Sequence, residues 1–161
     1  TNADYRRSGF DRGHMAPAAD MTWSETAMKE SFYFSNMCPQ NPGLNRGAWK
    51  DLEESIRKWV KEDSAIAIVC GPLVDKRDTT IGRNEVKIPH AFFKVIVSPY
   101  VTTPRGIGFV FKNEKEDAPL SAYVVSIDSV EALTGMDFFS ELPDELENRL
   151  ESQNNIFDWE L

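Results

Sequence analysis

The chain has 161 residues, 41% of them hydrophobic, with 26 acidic against 18 basic side chains for a net charge of −8. That length and composition suit one globular domain with a real core and exclude a disordered polar segment. The acidic balance speaks against holding nucleic acid through a broad basic surface, yet it leaves room for a small local cationic site.

In chain order, residues 1–9 read as an irregular lead-in, and 10–16 as a short strand closed by Pro17, which lacks a backbone donor. Residues 18–31 read as a loop with one helical turn. The aromatic-rich stretch 32–38, bounded by Pro39, suits a second short strand. Gln40-Asn41-Pro42-Gly43 carries turn chemistry. Leu44, Ala48, Trp49, Leu52, Ile56, Trp59 and Val60 then recur at helical spacing, with Lys50, Asp51, Glu54, Lys58 and Lys61 opposite them. Asn45 stands at the expected start of this helix, where asparagine is a favoured cap.

Downstream the period changes. Residues 65–70 read as a buried strand ending at Gly71-Pro72, and 87–97 as a long strand with a proline irregularity near its start. Further strands are expected over 107–111 and 122–127. A short helix over 129–134 stops at Gly135, and an acidic one over 143–150 carries Pro143 in its first turn. Strands largely in sequence, with helices between them, indicate an α+β fold on an antiparallel β-sheet core with flanking helices. Cys38 and Cys70 make no disulfide framework and are expected to be unpaired. The acidic tail from Asp137 to Leu161 reads as a solvated face. No apolar run approaches the ~20 residues that cross a bilayer, so no membrane partner is expected.

The chemistry-bearing residues gather in the first third. His14, one of two histidines, can exchange protons near neutral pH, and Arg12 offers a planar cationic fork suited to phosphate. Gly13 between them permits a bend or a close approach. A strand with His14, a second strand and a helix starting at Asn45 would make a compact β-β-α unit. Asn45 offers a hard amide oxygen suited to magnesium, an ion that keeps several waters and needs few protein ligands. Glu53, eight residues on, would lie roughly 80° around the same helix. Arg57, four further, is placed to pair with Glu53 or to reach a phosphate.

Asp11-Arg12-Gly13-His14, then Ser35-Asn36, Pro39-Gln40 and Leu44-Asn45-Arg46-Gly47-Ala48-Trp49-Lys50-Asp51-Leu52-Glu53, resembles the DNA/RNA non-specific endonuclease family of His-Me finger (ββα-metal) nucleases. Gly71-Pro72-Leu73 and residues 88–95 resemble the family's later strands. The resemblance implies a single nuclease domain over 1–161 that lacks an N-terminal segment of the family fold, with the ββα-metal unit at about 10–62.

It further implies His14 as the general base and Asn45 as the direct protein ligand of a hydrated Mg2+, for which Mn2+ or another divalent cation could substitute. Glu53 would hold metal-bound water, Arg12 and Arg57 would bind phosphate and offset transition-state charge, and Asn36 and Gln40 would line the substrate site. The implied reaction is sugar-non-specific hydrolysis of DNA and RNA to 5′-phosphorylated products. Two alternatives stand beside it: a nuclease-like protein that binds nucleic acid without turnover, and a phosphodiesterase of narrower substrate range. Among further partners, a homodimer and a protein inhibitor are both compatible with the resemblance. A secreted or periplasmic location is expected, or an organellar one in a eukaryote, although these residues carry no signal peptide.

Overall fold

A computed structural model describes residues 1–159. After a short helix α1 (Asn2–Tyr5), strand β1 (Asp11–His14) pairs antiparallel with β2 (Met37–Gln40), with Asp11 opposite Gln40 and His14 opposite Met37. The connection between them holds a 3-10 turn at Ala18–Met21, helix α2 (Glu25–Glu30) capped by the Ser24 side chain, and a second 3-10 turn at Phe34–Asn36. The second strand therefore lies later than residues 32–38, and Pro39 sits inside it rather than ending it. In a two-stranded ribbon one side of each strand has no ladder, so a missing N–H is tolerated there.

The helix expected to begin at Asn45 is two helices, α3 (Pro42–Arg46) and α4 (Ala48–Asp63), meeting at Gly47. Asn41 is the cap, its side chain accepting from the Gly43 N–H at 2.8 Å, and Pro42 occupies the first helical position. Asn45 thus lies within α3 and caps nothing. The break also means that Asn45 and Glu53 do not share one continuous helix face.

The main sheet is antiparallel, in the order β3 (Ala67–Leu73), β6 (Ala91–Ser98), β7 (Arg105–Lys112) and β8 (Val124–Val125), and β4 (Thr80–Ile81) with β5 (Val86–Lys87) forms a separate ribbon. The long strand expected over 87–97 is split at residues 88–90 into β5 and β6. The strand expected over 122–127 shrinks to two residues because Ser126 caps α5 (Ile127–Thr134), which ends at a left-handed Gly135; α6 spans Asp144–Glu151. Strand β3 is not buried: Ala67, Ile68 and Val69 are exposed because it pairs with β6 alone among the described residues.

Alternation along β6 divides the core in two. Phe92 and Ile96 join Ile107, Phe109 and Phe111 of β7 against Trp49, Leu52, Ile56 and Trp59 of α4. Phe93, Val95 and Val97 pack on the other face against Ile127, Val130, Phe138 and Leu150 of the α5–α6 layer. Helix α4 buries the apolar stripe expected of it, apart from the exposed Val60. Both cysteines are free and pack against the first core. No helix among the described residues is long and apolar enough to cross a membrane. Glu160 and Leu161, the end of the acidic tail, lie outside the described residues.

Candidate active site

Strand β1 is anchored to α3 by Asp11. Its Oδ1 and Oδ2 take two parallel bonds from Arg46, at 2.7 and 2.8 Å, and Oδ2 also accepts from Asn45 Nδ2 at 2.9 Å. The Arg46 bonds, with help from Asn45, hold the Asp11 carboxyl below its ordinary pKa, so it stays ionised and keeps its grip at neutral pH. Engaging the Asn45 nitrogen fixes the amide and leaves Oδ1 as its free acceptor among the described residues. A single, oriented, neutral oxygen fits a hard divalent cation that retains most of its water. Asn45, Asp11 and Arg12 line one cleft of about 480 Å3 together with Arg6, Asn2, Tyr5 and Phe10. Arg12 is exposed and donates to Asn2 Oδ1.

His14 lies three residues along β1 from Asp11, about 10 Å by strand rise. It does not line that cleft. Its Nε2 is buried and has no hydrogen-bond partner among the described residues. Burial first, and the neighbouring Arg12 charge second, lower the imidazole pKa from 6.5. The ring is therefore neutral at physiological pH, with an imidazole nitrogen available for a proton. Phe32 packs edge-on against it at 4.8 Å between centroids and 87° between planes. Gly13 is required by packing, since a Cβ there would collide with Gln40 Oε1 and come within 2.7 Å of Gln40 Cβ.

Two residues expected to line the substrate site are engaged elsewhere. The Asn36 amide accepts from Ala16 N at 2.9 Å and donates to Ala16 O and Ser31 O at 2.8 Å each, so it braces the segment after His14. Gln40 is fully buried against Gly13, with its amide unpartnered among the described residues. The Glu53–Arg57 pair expected from i,i+4 spacing does not form a bridge. Arg57 Nη1 instead meets Asp20 Oδ1 at 3.0 Å, and Glu53 lies 3.9 Å from Lys94 Nζ. Burial raises the Glu53 pKa, opposed by Lys94 and Arg57.

Sequence reasoning missed four contributors. Lys94, 2% exposed at mid-strand in β6, carries its ammonium 4.3 Å from the Trp49 ring centroid. A lysine inside the run Phe92-Phe93-Lys94-Val95-Ile96 was the available signal, because lysine is almost never fully buried without a partner. Asp20 and Phe32 had no distinguishing signal. Nor had Asn113, whose amide accepts from Asn41 N at 2.7 Å and donates to Pro39 O and Pro89 O, tying the start of α3 to the sheet.

A family model described as DNA/RNA non-specific endonuclease matches residues 1–145. The chain belongs to the DNA/RNA non-specific endonuclease family. That family is divalent-metal dependent. Human mitochondrial endonuclease G is 38% identical over 151 residues, a match covering 86% of this chain and 51% of the relative. A mitochondrial nuclease of Saccharomyces cerevisiae is 37% identical over 161 residues, covering 87% and 49%. Nuclease 1, mitochondrial, of Schizosaccharomyces pombe is 35% identical over 158 residues, covering 87% and 49%. Among solved structures, a crystal structure of the EndoG/EndoGI complex superposes with a TM-score of 0.83 at 36% identity, covering 91% of this chain and 65% of that one. The chain thus spans about half the length of the curated relatives it matches.

Proposed function

We propose that the chain carries the catalytic unit of a magnesium-dependent, sugar-non-specific endonuclease that cuts DNA and RNA to 5′-phosphorylated products. The observation that carries this reading is the Asp11–Asn45 contact, which presents Asn45 Oδ1 beside Arg12 on the strand that also bears His14. In this reading β1, β2, α3 and α4 form the ββα-metal unit of a single nuclease domain. Asn45 would hold the hydrated Mg2+, and Glu53 would hold water bound to it. When bound, the ion neutralises the scissile phosphate and stabilises the leaving oxygen.

The chain's own groups do the rest. His14 takes the proton of the attacking water through its imidazole. Arg12 in the cleft and Arg57 on α4 bind phosphate oxygens and offset charge that grows in the transition state. Asn36 acts by bracing the backbone after His14, and Gln40 by filling the space above Gly13. Contacts of this kind go to the backbone of the nucleic acid, which accounts for indifference to base and sugar. The relatives' mitochondrial names support an organellar location in a eukaryotic host. The EndoG/EndoGI complex supports a protein inhibitor as a further partner.

Plasmid DNA and RNA should both be degraded in the presence of Mg2+, and EDTA should abolish the cutting. Salt-sensitive binding of either polymer without EDTA-sensitive cleavage would sink this reading. The pH profile gives a second check. A base must be neutral to accept a proton, so kcat/KM should rise through a pKa below 6.5 and stay level above it. Arg12→Ala removes one of the two causes of the lowered pKa. The acid limb of its profile should shift to higher pH as well as falling in height, and an unmoved limb would rule out His14 as the titrating base.

A further inference from the structure

The acidic C-terminal third is not a uniformly solvated face. On the side of the sheet away from α4, Asp128 and Glu131 of α5, Asp137 of the following connection and Glu147 of α6 converge on Glu151 at the end of α6. The oxygens of Asp128, Glu131 and Glu151 lie within 4.8 Å of one another, as do those of Asp137, Glu147 and Glu151. Among the described residues, none of the five carboxylates is in a salt bridge with a lysine or arginine.

The central residue points independently to a missing partner. Glu151 is only 6% exposed, and its Oε1 is buried without a hydrogen bond among the described residues; Glu147 Oε1 is in the same condition. A buried, unpartnered carboxylate is costly, and surrounding it with four more acids makes it costlier. Burial, followed by the charges of Glu131, Glu147, Asp128 and Asp137, pushes the Glu151 carboxyl up to about 7. The position is also held firmly. A Cβ on Gly106 of β7 would strike Leu150 O, and the Gly106 N–H donates to Gln153 Oε1 at 2.8 Å, so the end of α6 lies directly on the sheet. Glu131 is fixed as well, its Oε1 accepting from Phe138 N at 2.7 Å.

We propose that Glu151, shared by the Asp128–Glu131 pair on one side and the Asp137–Glu147 pair on the other, binds a divalent cation of the Ca2+ class at a structural site separate from the catalytic one. An all-oxygen, all-carboxylate donor set selects a hard cation, and Ca2+ accepts 6–8 oxygens in loose geometry. Opposite oxygens across a Ca2+ ion are about 5 Å apart, a span that accommodates the spread within either triad sharing Glu151. The ion would neutralise the buried charge of Glu151 and tie α5, its following connection and α6 to the second face of the sheet. Because this face is remote from Asn45, the site does not depend on the nuclease reading.

Isothermal titration with CaCl2 tests it on the full chain and on three variants. Asn45→Ala, which lacks the candidate catalytic ligand, should still bind Ca2+, and its Tm should rise by roughly 5 °C at saturating Ca2+. The double substitution Asp128→Asn/Asp137→Asn alters two exposed positions, so it should fold, and it should bind Ca2+ about 10-fold or more weakly. Glu151→Gln should abolish the Ca2+-dependent rise in Tm. Absence of binding in Asn45→Ala would overturn the site, as would undiminished binding in the double variant. A Ca2+-independent gain in Tm from Glu151→Gln, with no heat of binding in the parent, would assign Glu151 to a buried protonated acid instead.

Discussion

His14→Ala should lower the rate of DNA and RNA cleavage by about 10²–10⁴-fold while leaving the fold intact, the usual contribution of a positioned general base. The loss should be this large because the imidazole is prepared for one task. Its Nε2 has no partner to satisfy, and its lowered pKa keeps it unprotonated at neutral pH. The fold should survive for the same reason. The ring makes no hydrogen bond to a described residue, so truncation strands no donor or acceptor. It gives up the edge-on packing of Phe32, a ring that is itself exposed. Single-turnover cleavage measured beside a thermal melt separates the two effects. A rate within about tenfold of the parent would remove His14 from the role of base. A fall in rate matched by a collapsed melt would make its role structural.

The elements that could be read from the sequence are those in which one physical pattern dominates. The apolar stripe of α4 and the continuous apolar runs of β6 and β7 are set by burial on one helix face and on both faces of two central strands, and each is where periodicity puts it. Asn41-Pro42 was open to two meanings, since the same dipeptide starts a turn or caps a helix with proline at its first position; packing of Leu44 into the core decides for the helix. Strand β3 has the composition of a buried strand, but its neighbours in space, not its residues, determine that among the described residues one of its edges stays open. Asn45 was placed in the site for its oxygen, whereas Asp11, which aims that oxygen, became visible only when β1 was laid beside α3. The acid–base layout around Glu53 was least legible because two of its four members, Asp20 and Lys94, reach it from elements other than its own helix.

Lys94→Met should cost about 3 kcal/mol of unfolding free energy, because it leaves Glu53 buried beside a neutral neighbour. Lys94 is fully buried, and the Glu53 side chain is 13% exposed, so water cannot replace the missing cation. Methionine preserves most of the volume against Trp49, which keeps cavity formation out of the measurement. The sign of the pH dependence follows from the raised pKa of Glu53. A carboxyl whose folded pKa exceeds its unfolded 4.5 binds more protons when folded, so stability is lost as pH rises through the window above 4.5. Removing Lys94 takes away the largest influence opposing that rise and widens the window. The deficit of the variant relative to the parent should therefore shrink as pH falls below 4.5, where Glu53 is protonated in both states, and grow toward neutrality. Adding Glu53→Gln to Lys94→Met should recover most of the deficit, since the charge that lacked a partner is gone. Urea unfolding of the four members of this cycle at pH 5 and pH 8 provides the check. A Lys94→Met deficit that is independent of pH, or one that Glu53→Gln does not relieve, would mean that Lys94 is held by its stacking on Trp49 and not by Glu53.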